Sequence, residues 1–490
     1  MESSAKKSET RIEQDPLRWK ALVVIAIAQL MVVLDASIVN IALPSIQEDL
    51  GISDVNRQWV VTAYTLAFGG LLLLGGRIAD FAGRKKMFLV GLIGFAAASA
   101  LGGTSVNAEM LYAARALQGV FAAILAPAAL SLISVTFTDS KERAKAFGVY
   151  GALSGGGAAI GLVLGGILTE YASWHWTLLV NVPIALVAYF LAVKFVTESK
   201  ASGNTKYDVP GAITATLGLV SLVYGITKAD SVGWSGTSTL TFLALAVIFL
   251  TAFLIIERKS SHPLLPISIL LDRNRGGAFL ASFFVGIGLF AMFLFLSYFF
   301  QAVLGYAPLK SGLLFLPFSL GVIISAGIAS QLLPKFGPRY ITFSGFLLMT
   351  TGMLLLLRLT PGSQYVADIL PSISIMSLGA GLVFVPLSAT ALFEVGNHDA
   401  GIASAVLNTS QQIGGSIGVA FLNTIAASAT TAYIVKNNLP GPTPDALVNG
   451  FTTSFAWSAS ILIIAGLIWV TLVRMSKKEI SANDVPAGIA

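Results

Sequence analysis

The chain has 490 residues, of which 55% are hydrophobic and only 11% charged, and it contains no cysteine. A water-soluble domain is about 25% charged, so a soluble globular protein is excluded, and with it disulfide and thiolate chemistry. The net charge of +6 does not indicate a nucleic-acid partner, because its placement along the chain explains it. Apolar runs long enough to cross a hydrocarbon core of roughly 30 Å recur from end to end. In chain order they predict spans over 20–43, 59–76, 87–104, 110–135, 146–168, 176–196, 210–227, 238–256, 277–304, 311–333, 340–357, 369–393, 402–426 and 455–473. The polar residues before the first span show no signal-peptide pattern, so that span is expected to be retained.

The connections between spans divide by charge. One set holds 24 of the 30 Lys and Arg residues, including Arg18, Lys20, Arg84, Lys85, Lys86, Arg258, Arg339 and Arg474. The other set holds only Arg57, Lys228, Lys310, Arg358 and Lys436. Basic loops stay in the cytoplasm, so both termini are expected there and the number of spans is even. A repeat is also visible. Leu50-Gly51 and Gly83 match Leu304-Gly305 and Gly337 at an offset of 254, and Gly157 and Gly161 resemble Gly414 and Gly418 at nearly the same offset. This predicts an all-α polytopic protein with a six-helix bundle in 1–205, two additional transmembrane helices in 206–260 and a second six-helix bundle in 261–490. Internal repeats flanking a central site are the architecture of many secondary transporters.

The chemistry-bearing residues follow the same order. Asp35 lies inside the first span, where a carboxylate is costly and usually functional. The remaining basic residue, Arg115, lies inside the fourth span. At a rise of ~1.5 Å per residue the two lie roughly 13 and 8 Å below the outer helix ends, close enough to meet. Burial disfavours an anion and a nearby guanidinium favours it, so their balance would set the protonation of Asp35. The turn from Gly76 through Arg77, Asp80, Gly83 and Arg84 to Lys86 combines glycines for tight turning with a basic run suited to an anionic leaflet. Asp80 is the unexpected member of so basic a loop. The fifth span carries Gly148, Gly157, Gly161, Gly165 and Gly166, and glycines four apart permit close helix contact. The second half has no intramembrane acid, only Asn408, Gln411 and Gln412 with the aromatic-rich Phe290, Phe293, Tyr298 and Gln301 stretch. Together with Asn40 and Tyr64 these would line a cavity suited to bulky, apolar and often cationic solutes. No metal-ligand cluster, nucleotide loop or hydrolase triad is apparent, and His262 and His398 fall in loops. No enzymatic reaction and no cofactor are expected; the energy would come from an ion gradient or from the substrate's own gradient.

These motifs resemble signatures of the major facilitator superfamily. The 76–86 turn is similar to its cytoplasmic loop motif, and the 115–119 segment to its fourth-helix motif. The segment from Leu34 to Pro44 looks like the first-helix signature of the fourteen-span drug:proton antiporters, the EmrB/QacA-like branch. The glycines of span five are similar to the antiporter signature, although Leu162 stands where that motif has proline. Trp174-His175-Trp176, Asn181-Val182-Pro183, His262 to Pro266 and Gln301 to Tyr306 extend the likeness over nearly the whole chain. The resemblance implies the major facilitator fold and a monomeric multidrug-efflux antiporter of the cytoplasmic membrane, connected with antibiotic resistance. In it Asp35 and Arg115 couple proton to substrate. Gly76, Asp80, Gly83 and Arg84 gate, with Asp80 latched to the start of span thirteen near Gly401. The alternative is export of an endogenous metabolite or lipid by the same alternating-access machinery.

Overall fold

The computed structural model describes residues 16–475 apart from 138, 201–207, 261–262, 264, 266–269, 394 and 396–399. The expected domain boundaries at 205 and 260, and both His262 and His398, fall on or beside residues outside this description. Among the described residues every regular element is helical, as hydrocarbon demands, since each backbone N–H and C=O must find its partner within its own segment. The first part of the chain forms α1 (Arg18–Asp49), α2 (Trp59–Ala82), α3 (Arg84–Gly103), α4 (Ala108–Thr136), α5 (Ser140–Tyr171), the short α6 (Trp176–Leu179) and α7 (Asn181–Phe195). Two further helices follow, α8 (Val209–Val232) and α9 (Thr237–Lys259). The last part comprises α10 (Arg273–Tyr298), α11 (Pro308–Leu313), α12 (Leu316–Phe336), α13 (Pro338–Leu355), α14 (Leu370–Ala391), α15 (Ala400–Lys436) and α16 (Pro444–Leu472). Among the described residues thirteen helical stretches are long and apolar enough to cross a membrane, and the Gly157–Tyr171 segment of α5 is a further, shorter apolar stretch, consistent with fourteen. The protein is therefore an all-α, multi-pass membrane protein.

Side-chain oxygens start several helices: Asn107 accepts from Met110 N, Asp208 from Gly211 N, Asp272 from Arg275 N and Thr443 from Ala446 N. The repeat is visible in the backbone. Gly51 and Gly305 have φ of 61° and 65°, and Gly83 and Gly337 have φ of 121° and 76°, values that side chains rarely tolerate.

The basic residues gather at one face. There Arg18 pairs with Glu142 at 2.8 Å, holding that carboxyl below its ordinary range by hydrogen bonding. Lys85 Nζ donates to Val193 O at the end of α7, and Arg339 Nη2 donates to Val470 O at the end of α16. The α2–α3 turn is fastened by Glu198, whose carboxylate accepts from Lys85 N and Lys86 N at the start of α3.

The core has different continuity at the two faces. Buried residues of α1 from Ala21 to Val32, toward the basic face, belong to a core confined to the first bundle and edged by Ala405 of α15. Those from Ile38 to Ile46 join the second bundle's core, with Phe299, Phe300 and Phe315. The halves are thus sealed to each other at the face opposite the basic one. Hydrogen bonds reinforce that seal. Arg57 Nε donates to Asn423 Oδ1 at 3.1 Å, Tyr298 donates to Gln47 Oε1 at 2.6 Å, Gln301 Nε2 to Ile41 O at 2.9 Å and Leu309 N to Glu170 at 3.0 Å.

The added pair α8–α9 lies beside this seam. Leu219, Val223 and Ile226 of α8 share a small apolar cluster with Leu66 of α2 and Ala420 of α15, and Gln58 Nε2 donates to Thr227 at 2.9 Å. Helix α9 packs on α8 through Gly218 and Gly225 and leaves Val247, Ile248, Leu254 and Ile255 exposed, as a lipid-facing surface would.

Candidate functional site

Asp35 lies on α1 with no exposed surface, and Arg115 on α4 is 1% exposed. A carboxylate in such a place must have each lone pair answered, because an unpaired buried charge is prohibitively costly. Arg115 Nη1 donates to Asp35 Oδ2 at 2.7 Å, while Gln118 Nε2 and Asn181 Nδ2 donate to Oδ1 at 2.9 and 2.8 Å. The donors are themselves held. Arg115 Nε donates to Val60 O at 2.9 Å, Nη1 to Gln118 Oε1 at 2.8 Å, and the guanidinium lies 4.5 Å from the Tyr64 ring centre. Gln118 Nε2 also donates to Ser99 Oγ at 2.7 Å. Residues from α1, α2, α3, α4 and α7 therefore converge on one carboxylate. Two buried polar atoms around it lack a partner: the Tyr64 hydroxyl and Asn181 Oδ1.

The glycines of α5 make this convergence possible. Gly157, Gly161 and Gly165 lie on α1 at Leu30 and Val33, at Leu34 and Ser37, and at Ile38 respectively. A Cβ on Gly165 would stand 2.7 Å from Ile38 O, so only a bare backbone fits. Gly166 faces the other way, onto Leu309 of the second half, and Gly312 abuts the Leu162 carbonyl. Helix α5 runs unbroken through Leu162. The surroundings of Gly148 lie outside the description. In the second bundle Gly414 and Gly418 of α15 lie on Phe283 and Ile287 of α10, a parallel arrangement.

The other residues singled out from sequence are dispersed. Asn40 is buried and donates to Ala36 O of its own helix. Phe290 lies against Gly415, and Phe293 packs on Phe315 and Phe318 within the second bundle. Tyr298 and Gln301 sit in the seal between the halves, Tyr298 beneath the Arg57 guanidinium at 3.9 Å. Asn408 is exposed and donates to Ser404 O, whereas Gln411 and Gln412 of α15 are half-buried, Gln412 beside Gly69 of α2. Asp80 accepts from Arg84 Nε at 2.9 Å across the turn at Gly83, and Gly76 meets Pro127 of α4. The side-chain environment of Gly401, the expected partner of Asp80, lies outside the description.

Four partners escaped the sequence reading in role if not in name. Gln118 stands three residues after Arg115, a spacing that shares a helix face, and could have been found. Asn181 stands in a segment that carries the family likeness but gives no sign of its partner, and Ser99 and the sealing role of Arg57 have no local signal.

A family model described as Major Facilitator Superfamily matches residues 25–419. The puromycin resistance protein pur8 of Streptomyces alboniger is 48% identical over 482 residues, covering 96% of this chain and 95% of that protein. The cephamycin export protein CmcT of Amycolatopsis lactamdurans is 37% identical over 415 residues, covering 84% and 85%. Among solved structures, the POT family transporter PepTSo is similar with a TM-score of 0.69 at 16% identity, over 94% of this chain and 98% of that one. A bacterial homolog to the human lysosomal transporter Spinster gives 0.66 at 15% identity, over 95% and 99%. At such identities the structures speak to the fold.

Proposed function

Because this chain belongs to the major facilitator superfamily, a family of transporters rather than enzymes, we propose that it exports antibiotic-like compounds across the cytoplasmic membrane in exchange for protons. The observation that carries the reading is the buried Asp35 with its full set of donors. A structural anion would need no such position inside the membrane, whereas a coupling carboxylate must be able to lose a partner and take a proton. The similarity to a puromycin resistance protein supports a substrate that joins aromatic surface to an amine, as puromycin does. Such a cation and a proton would compete for one carboxylate, which yields exchange with a single acid.

The excess of Lys and Arg at one face supports a cytoplasmic position for that face and for both termini. The seal at the opposite face then corresponds to the state that loads substrate from inside. Protonation from outside, after the halves have rocked, would release the substrate and reset the site.

Reconstitution into proteoliposomes tests this. With an imposed pH gradient, puromycin or ethidium should accumulate uphill, and Asp35→Asn should abolish accumulation while leaving equilibrium binding of a neutral ligand. Uphill transport by Asp35→Asn would place the proton elsewhere. A second reading, export of an endogenous product by the same machinery, is favoured by the 37% identity to a cephamycin export protein. Competition by the host's own secondary products against puromycin export would distinguish it.

A further inference from the structure

Asn181 is fully buried, and its two amide atoms have opposite fates. Nδ2 donates to Asp35 Oδ1 at 2.8 Å, whereas Oδ1 has no hydrogen-bond partner. A buried acceptor left unpaired is costly and calls for an explanation. Asp35 supplies one. As an anion it can only accept, and Nδ2 is the right atom to face it. Once protonated on Oδ1 it carries an O–H that needs an acceptor, and a facing N–H would repel it. Turning the Asn181 amide by half a turn about Cβ–Cγ exchanges its nitrogen for its oxygen in the same place.

Gln118 cannot do this. Its Oε1 accepts from Arg115 at 2.8 Å while Nε2 donates both to Asp35 and to Ser99 Oγ, so a flip would set N–H against N–H. Arg115 can only donate. The remaining titratable neighbour is Tyr64 from α2, whose ring lies under the Arg115 guanidinium. Helix α3 presents Ser99 and α5 presents glycines.

We infer that Asn181 is a positioning residue for the exchanged proton, its amide donating to Asp35 when the carboxylate is charged and accepting from it when protonated. No bond other than O–H is made or broken, and the proton comes from water. The inference rests on Asp35 being the proton carrier. A residue at this place without both a donor and an acceptor would leave one of the two states unsatisfied, and the cycle would slow at the protonation step.

The test compares two activities of the same proteoliposomes. One is pH-driven uphill accumulation of puromycin; the other is puromycin counterflow without a pH gradient, which requires no net change of protonation. For Asn181→Leu, close in size but without polar atoms, the ratio of the first to the second should fall about tenfold or more. Asn181→Ser, whose hydroxyl both donates and accepts, should recover part of it. If Asn181→Leu does not assemble in the membrane, Asn181→Ala is read in the same way. A ratio equal to that of the parent chain, or a parallel fall of both activities, would overturn the inference and leave Asn181 a packing residue. Asp35→Asn in the same assay separates the two claims. Retained uphill transport there removes Asp35 as carrier, whereas its loss beside an unaltered ratio in Asn181→Leu removes only the amide switch.

Discussion

Replacing Arg57 by Ala should open the sealed face. Arg57 is 4% exposed and makes three contacts, of which only two join the halves. The pair with Asp54 at 3.2 Å lies within the first half, and Asp54 is 48% exposed, so it does not enter the equilibrium between states. The bridging contacts are the hydrogen bond to Asn423 and the guanidinium stacked on Tyr298. A hydrogen bond to a charged group is worth about 1.5–3 kcal/mol, and a desolvated cation–π contact up to about 2 kcal/mol. Overlap between the two leaves about 2–4 kcal/mol, or roughly a 30- to 1,000-fold shift toward the state separated at that face. The Cys-free chain lends itself to spin labels at Ser53→Cys and Thr431→Cys, beyond the seal on either half. Their distance distribution should lengthen in Arg57→Ala. A folded Arg57→Ala protein with the parent distribution would show that these contacts do not hold the halves together.

Three other outcomes are expected. Gly165→Leu places a side chain where a Cβ alone stands 2.7 Å from Ile38 O, and should lower stability by about 1–3 kcal/mol, with Gly165→Ala milder; a melting temperature equal to the parent's would contradict the packing argument. Asp80→Asn removes the acceptor for Arg84 and the charge proposed to engage the start of α15 when the basic face closes. It should slow turnover more than it weakens binding and enrich the state seen here; lost transport with unmoved distances across the basic face would rule out the latch. Single cysteines should place Gly233 and Asn438 within reach of an impermeant external reagent and Lys86 out of reach; the reverse pattern would invert the orientation.

The span positions were legible because hydrocarbon thickness is a length the sequence must match, yet helix ends were not. Helix α15 continues to Lys436, ten residues past the expected end at 426, because a helix need not stop where its apolar stretch does. The span expected over 311–333 is two helices, parted before Pro317, which has no N–H to donate to the carbonyl of Leu313 and whose ring crowds it. Asp35 and Arg115 could be paired from sequence because charges inside spans are few and their depths computable. Asn181 and Ser99 could not, since an uncharged polar residue in a span carries no mark of what it faces. Arg57 reads as an ordinary outer-loop cation, and only the docking of that loop onto Asn423 gives it a role.

The unbroken course of α5 has a mechanical consequence. Its Gly166 and Leu162 meet the second half near one end, while its glycine face grips the helix that carries Asp35. A tilt of this continuous helix about the Leu309 contact would be carried along its length toward the basic face. From Gly166 to Ser140 the arm is roughly 39 Å at 1.5 Å per residue, so a tilt of about 10° sweeps the far end through roughly 7 Å. That is comparable with the width of an aromatic ring, and because the glycine face binds α5 to α1, the helix that carries Asp35 would have to move with it.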